Sequence, residues 1–343
     1  MDKLATLVDW SRTFHFNFLL AFSSRIMNLK VLIAEPIHRD GIEILNKHVE
    51  VIELPPKSTV DDLKKAASDV DAIISRGFIK ITKEVLSSAK KLRVIVVHGV
   101  GIDHIDLEAA KQLGIKVVNT PEALTNAVAE FTVGLIFSLL KRIPQADKAV
   151  RKGEWHRKFD DLVGLDLAGK TVGIIGLGRI GSAVARMLKA FNVRLVYYSR
   201  TRKYDLEKEL GIEFKPLHEL LKESDIISIH ATLTKETYHI LSYKEFELMK
   251  EGVYIVNTAR GAIIDEKALL ENLKSGKIRG AALDVFEIEP LPGNSPLLGF
   301  ENLILTPHLA ASSLDALRRL SVEVALRTLE ELGIYHQYSV EKQ

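Results

Sequence analysis

The sequence predicts an α/β protein made of two Rossmann-like or flavodoxin-like doubly wound parallel-sheet domains with a cleft between them. Three observations carry that expectation. Short apolar strands alternate with helical segments over most of the 343 residues; the alternation falls into two separate series; and the second series opens on a glycine-rich strand–loop–helix junction. The length is enough for two domains, each with its own core.

Residues 1–28 precede the first series and read as an N-terminal extension. Within it, 14–22 is a short aromatic and aliphatic run interrupted by His15 and Asn17. It is too short to span a bilayer and lacks a small-residue cleavage site, so neither a transmembrane helix nor a secretory signal fits. Met27, just before the first strand, is an alternative start of translation.

Candidate strands of the first series fall at 31–34, 49–54, 72–75, 94–97 and 116–119. Those of the second fall at 171–175, 193–198, 225–230, 253–257, 281–285 and 303–306, six strands, which suffice for a dinucleotide domain. Residues 127–142 are apolar on most faces and read as a buried helix passing between the domains. Residues 147–166, with Trp155 and His156, are polar and irregular and fit a dimerisation arm or a solvated loop equally well. The last helix, 313–332, returns the chain to the first domain. The expected organisation is a discontinuous substrate-binding domain, 29–126 with 313–343, and a dinucleotide-binding domain, 127–312.

Acidic and basic residues nearly cancel, to a net charge of +2, and are interspersed. No polyanion-binding field is implied, so nucleic acid is not an expected partner, and no membrane is either. The absence of cysteine excludes disulfides, thiolate nucleophiles and cysteine-bound zinc; no metal is expected, and the composition suits a cytoplasmic location.

The chemistry starts at 172–181. An apolar strand runs into Gly176-Leu177-Gly178-Arg179-Ile180-Gly181, a GxGxxG loop opening an amphipathic helix in which Ile180, Ala183, Val184, Met187, Leu188 and Phe191 recur at helical spacing. Gly176 permits the tight turn, Gly178 removes a side chain that would block a pyrophosphate, and Gly181 lets helix and sheet approach, while helix N-terminal N–H groups face the phosphates.

Three further residues sit just after strands of the second series: Arg260, Glu289 and His308. In an open parallel sheet the ligand crevice lies beyond the carboxyl ends of the strands, so three loops deliver these groups to one place. For reduction of a 2-oxo acid, His308 is the proton donor to the developing alkoxide, and Glu289 orients the ring and favours its charged form. Arg260 grips the substrate carboxylate through its planar fork. Glu287 is the competing carboxylate; Glu289 is preferred because Pro290 restricts its backbone to an extended conformation.

With GIIGLGRIG at 173–181, NTARG at 257–261, LDVFEIEP at 283–290 and TPHLA at 306–310, the sequence from Leu29 to about Leu332 resembles the D-isomer-specific 2-hydroxyacid dehydrogenases. That family includes glyoxylate/hydroxypyruvate reductases and 3-phosphoglycerate dehydrogenases. The resemblance implies a bilobed subunit, a homodimer, a small 2-oxo or 2-hydroxy acid substrate and the Arg260, Glu289, His308 triad. It implies that Asp284 and the Ala259 backbone meet the nicotinamide carboxamide, and that Arg179, Ile180, Ala231, Thr237, Thr258 and Ala310 complete the cofactor contacts. The loops at Arg76-Gly77 and Gly99-Val100-Gly101 would offer N–H groups to the substrate carboxylate.

The chain departs from the family's usual pattern in having Thr232 in place of Pro and Ala310 in place of Gly. Val97-His98 stands where 3-phosphoglycerate enzymes often have Arg-Ala, although Arg76 matches an arginine those enzymes often carry. Too few residues follow Leu332 for a further regulatory domain.

Where an NAD enzyme usually places an acid at the end of the second strand, this chain has Ser199-Arg200-Thr201-Arg202-Lys203. Arginines attract a 2'-phosphate that an acid would repel, so NADP is the favoured cofactor, with NAD the alternative. Three rival functions are a 3-phosphoglycerate dehydrogenase, an L-specific dehydrogenase, which would order its motifs differently, and a nucleotide-sensing corepressor-like scaffold, against which the complete triad argues.

Overall fold

A computed structural model describes residues 29–334; the N-terminal extension and residues 335–343 lie outside the described residues. The chain divides into two compact units, one running to Leu124 and resuming at Leu314, the other spanning Thr125–Ser313.

The first unit holds five parallel strands, β1 (Lys30–Ile33), β2 (Glu50–Glu53), β3 (Ala72–Ser75), β4 (Val94–Val97) and β5 (Lys116–Asn119), in the order β2-β1-β3-β4-β5. The central strands β3 and β4 are buried along their whole length. That is why they read as near-continuous apolar runs, with Ser75 at the end of β3 the one polar residue: helices cover both faces of such a sheet, and no solvent face is left to impose alternation. On one face the closing helix, Leu314–Glu331, brings Val324, Ala325 and Leu329 against Val31, Ile33, Ile74 and Val96. It approaches helix α1 (Arg39–Leu45) so closely that a Cβ on Gly41 would stand 2.3 Å from the Ser321 carbonyl oxygen.

The second unit begins with α2 (Thr125–Leu140), whose Ala129, Leu135, Ile136 and Leu139 pack on Val172 and Ile174 of its own sheet. That sheet contains β6 (Thr171–Ile175), β7 (Arg194–Tyr198), β8 (Glu213–Phe214), β9 (Ile226–Ile229), β10 (Val253–Asn257), β11 (Ile278–Leu283) and β12 (Leu303–Leu305). All pairings are parallel, in the order β12-β11-β10-β9-β6-β7-β8. Sequence reading misses β8, a two-residue edge strand pairing Glu213 with Val196 and Phe214 with Tyr197; such a segment is too short to carry a period. Because β6 lies between β7 and β9, the strand order reverses there, and the glycine loop leaves its carboxyl end at the topological switch point.

The stretch 147–166 is less irregular than its sequence suggests. Helix α3 (Ile143–Arg151) continues through it, with Pro144 in its first turn and an Asp147–Arg151 ion pair at 2.8 Å, and a 3-10 turn follows at Trp155–Phe159. Its charges serve one face of a helix, while Ile143, Val150, Trp155, Phe159 and Val163 are exposed.

Candidate active site

Each glycine of the loop has a separate steric reason. Gly176 has φ +97°, and a Cβ there would fall 2.7 Å from the Ala231 nitrogen; one on Gly181 would fall 2.2 Å from the Gly176 carbonyl oxygen. A Cβ on Gly178 would meet nothing within 4 Å. That open side lies at the start of the ten-residue helix α4 (Arg179–Leu188), where Gly178 is the N-cap and supplies no side-chain cap. A helix N-terminus with uncapped donors beneath open space is an anion cradle, so these residues fit a dinucleotide pyrophosphate. Arg179 is exposed and Ile180 half-buried at the same helix start.

At the end of β7 no carboxylate points outward from the turn. Ser199 Oγ donates to the Thr201 carbonyl at 2.6 Å, and Arg200 is exposed. Arg202 turns back: its Nε and Nη2 donate to the two oxygens of Glu207 at 2.9 Å each, and its guanidinium lies over the rings of Tyr204 and Phe214. Arg202, together with the hydroxyl of Tyr197, holds the Glu207 carboxyl below its ordinary range. Sequence reading pairs both arginines with the cofactor; the structure leaves Arg200 outward and ties Arg202 into a local network. Thr237 is also internal, its hydroxyl donating to the Thr232 carbonyl at 2.6 Å and accepting from the Thr234 N–H.

Arg260, Glu289 and His308 follow β10, β11 and β12 of the same sheet. His308 Nδ1 lies 2.7 Å from Glu289 Oε2, and Glu289 Oε1 accepts from the Phe286 N–H at 3.0 Å. An ionised carboxylate only accepts, so Nδ1 carries a proton and Nε2 is the nitrogen left for chemistry. Burial works to raise the Glu289 carboxyl, but the hydrogen bonds from His308 and Phe286 and the charges of His308 and Arg260 outweigh it, holding the group below its ordinary range. Arg260 is extended at φ −145°, with Nη1 donating to the Ala259 carbonyl at 2.8 Å.

His308 has φ +51°, a left-handed conformation that costs a non-glycine residue roughly 1–2 kcal/mol. Its N–H donates to the Asp284 carbonyl at 2.8 Å. The fully buried Asp284 carboxylate accepts from Thr306 Oγ1 at 2.6 Å, from the Leu309 N–H at 2.9 Å and from the Ala310 N–H at 2.9 Å. The resemblance assigns Asp284 to the nicotinamide; its carboxylate is first of all the brace of the turn that presents His308, and Ala310 spends its N–H on it. Beside β10, Asn257 braces the other turn, accepting from the Ala259 N–H and donating to the Arg260 carbonyl. The Thr258 hydroxyl lies in the core, 2.9 Å from that of Thr132.

In the first unit, the buried carboxylate of Glu35 accepts from the N–H groups of Arg76, Phe78 and Ile79 at 2.8, 3.0 and 2.9 Å. The Arg76 N–H is therefore spent within the loop, and its Nη1 donates to the Pro36 carbonyl. Gly77, with φ +102°, keeps an N–H that no described residue accepts, as do Val100 and Gly101. Burial and the nearby Arg76 charge push the His98 imidazole down to about 3, so it stays neutral, 3.3 Å from Ser321 Oγ. Glu35 escapes sequence reading; its only signal is a charge placed directly after an apolar strand.

Comparison with known proteins places these features in context. The family model described as "D-isomer specific 2-hydroxyacid dehydrogenase, NAD binding domain" matches residues 133–310. The chain is 44% identical over 308 residues to the glyoxylate reductase of Thermofilum pendens, covering 88% of this chain and 90% of that one. It is 44% identical over 298 residues to the D-3-phosphoglycerate dehydrogenase of Methanocaldococcus jannaschii, covering 87% of this chain and 56% of that longer protein. Among solved structures, an NADPH-dependent glyoxylate/hydroxypyruvate reductase from Sinorhizobium meliloti, in complex with NADP and malonate, superposes with a TM-score of 0.79 at 31% identity, covering 88% and 94% of the two chains.

The contrast among the glycines gives a test of the cradle. Because Gly178 has ordinary extended angles, φ −86° and ψ −160°, and open space above it, Gly178→Val should leave the melting temperature nearly unchanged. It should weaken nicotinamide dinucleotide binding by at least about tenfold, roughly 1.4 kcal/mol. Fluorescence titration reads the affinity; a large loss of Tm with intact binding would show that the position serves packing.

Proposed function

This chain belongs to the D-isomer-specific 2-hydroxyacid dehydrogenase family, and we propose that it works as a glyoxylate/hydroxypyruvate reductase that prefers NADPH. As a member it is a nicotinamide-dependent oxidoreductase of 2-hydroxy acids. The observation that carries the proposal is the His308–Glu289 pair at 2.7 Å, with Arg260 following the neighbouring strand of the same sheet.

The bound cofactor supplies the hydride that reaches the carbonyl carbon of the 2-oxo acid. Arg260 binds the substrate carboxylate and draws charge toward the carbonyl oxygen. His308 gives the proton on Nε2 to that oxygen as it becomes an alkoxide, so hydride and proton together yield the 2-hydroxy acid. Glu289 holds Nδ1–H and stabilises the imidazolium before transfer.

Glyoxylate and hydroxypyruvate are favoured over a phosphorylated substrate because the buried, apolar Val97 brings no charge where 3-phosphoglycerate relatives often have arginine, and His98 beside it stays neutral. An assay of NADPH oxidation with glyoxylate, hydroxypyruvate, pyruvate and 3-phosphohydroxypyruvate ranks these readings directly. On the preferred substrate His308→Ala should lower kcat by ~100-fold or more with NADPH affinity nearly intact; near-normal turnover would remove His308 from the mechanism.

The NADPH preference rests on the outward Arg200 and on the lack of a ribose-binding acid at Ser199. An arginine–phosphate contact contributes about 1.5–3 kcal/mol. Replacing Ser199 with Asp and Arg200 with Ser should lower the NADPH-to-NADH ratio of kcat/KM by at least about tenfold. A wild-type enzyme that prefers NADH would overturn this part of the proposal and leave the acid–base pair untouched.

The exposed apolar side chains of Trp155, Phe159 and Val163 support a homodimer formed through the 143–163 arm. Sedimentation equilibrium at micromolar concentration should give twice the chain mass, and Trp155→Glu with Phe159→Glu should return it to the monomer. A wild-type monomer would refute the assignment.

A further inference from the structure

Two acidic residues behind the acid–base pair are cross-bonded in a way the mechanism above does not use. Glu266 opens the helix Glu266–Ser275, and Glu287 lies two residues before Glu289. Glu266 Oε1 accepts from the Glu287 N–H at 2.7 Å, and Glu287 Oε1 accepts from the Glu266 N–H at 2.9 Å. Nearby the two loops touch backbone to backbone: a Cβ on Gly261 would stand 1.9 Å from the Phe286 carbonyl carbon. The loop that carries Arg260 is thus fastened to the loop that carries Glu289 at a glycine contact and a reciprocal carboxylate–amide pair.

We propose that Glu266 is a positioning residue for the acid–base pair: it fixes the Glu289 loop against the Arg260 loop and places a second negative charge behind Glu289, strengthening the hold on the His308 proton. The inference rests on the reading of His308 as proton donor. The groups facing Glu266 are Glu287, Glu289 and His239, with Arg260 and His308 beyond Glu289. Burial raises the Glu266 carboxyl; the Glu287 N–H opposes this, the Glu287 and Glu289 charges add to it, and His239 opposes it, leaving the group above its ordinary range. Coulomb interaction is mutual, so the Glu266 charge acts in return on Glu289, the carboxylate bonded to His308.

His239, Asp265 and Glu287 also lie within 4.8 Å of one another, an arrangement that resembles a cation site. Its oxygens are already engaged: Asp265 Oδ1 caps the helix at Lys267 and Ala268, Asp265 Oδ2 accepts from Ser242, and Glu287 Oε1 accepts from Glu266. The His239 ring Nε2 lies 3.1 Å from Glu287 Oε1, and its backbone N–H donates to the Ala262 carbonyl at 2.9 Å, so the cluster ties loops together.

The test is Glu266→Gln, which keeps an oxygen for the Glu287 N–H and removes the charge. Reduction requires protonated His308, so kcat/KM falls on the alkaline side as that proton is lost. In Glu266→Gln this limb should move down by about half to one pH unit, roughly a three- to tenfold loss of proton affinity, with KM for glyoxylate little changed. Glu271→Gln, an exposed carboxylate on the same helix, should leave the limb in place. An unmoved limb in Glu266→Gln, or an equal shift in Glu271→Gln, overturns the proposal. NMR titration of the His308 ring in the whole protein separates this from the choice of substrate. If glyoxylate is not reduced yet the His308 titration still moves in Glu266→Gln, the substrate reading falls and the role of Glu266 stands.

Discussion

The candidate site depends on one buried carboxylate. Asp284 ends the strand β11 in the core, and the turn 306–310 is built on its oxygens and its carbonyl. Unfavourable backbone angles at His308 persist because those bonds over-determine the turn. On the proposed reading of His308 as proton donor, a side chain held this way loses little rotational freedom on engaging its ligand, and geometry set in advance is what makes a proton transfer efficient. Asn257 does the same for the Arg260 turn with an amide, bonding the backbone on either side of it. The side chains that meet ligand and those that aim them thus come from the same strand ends, one layer deeper.

Much of this was legible in the sequence. Strands β3 and β4 announce themselves because full burial leaves only one polar position in them, Ser75 at the end of β3. The glycine loop is legible because two of its three glycines answer to backbone contacts that any side chain would violate. Arg260, Glu289 and His308 are legible because a parallel sheet gathers its strand ends, so sequence position alone places all three at one edge. The choice of Glu289 over Glu287 agrees with the geometry: Glu289 reaches His308, and Glu287 bonds to the helix start at Glu266.

What escaped the sequence are bonds between a side chain and a distant backbone. Glu35 and the 76–79 loop are about forty residues apart, and no local pattern marks a carboxylate that will accept three amide protons. The turn of Arg202 toward Glu207 needs the direction of the following helix, which the four intervening residues do not disclose. The helical part of 143–151 is hidden because its charged face reads as loop polarity, and only Ala149 is fully buried while Ile143 and Val150 are exposed.

The Glu35 cradle has an evolutionary consequence. The carboxylate of Glu35 that shapes the 76–79 loop belongs to the first unit, and the bonds of Asp284 and Glu289 that shape the His308 turn belong to the second. Changes at Phe78 or Val100, both exposed, can therefore accumulate without disturbing the proton donor. A lineage can vary one module by drift while the other is inherited intact, and that separability makes such a scaffold easy to diversify.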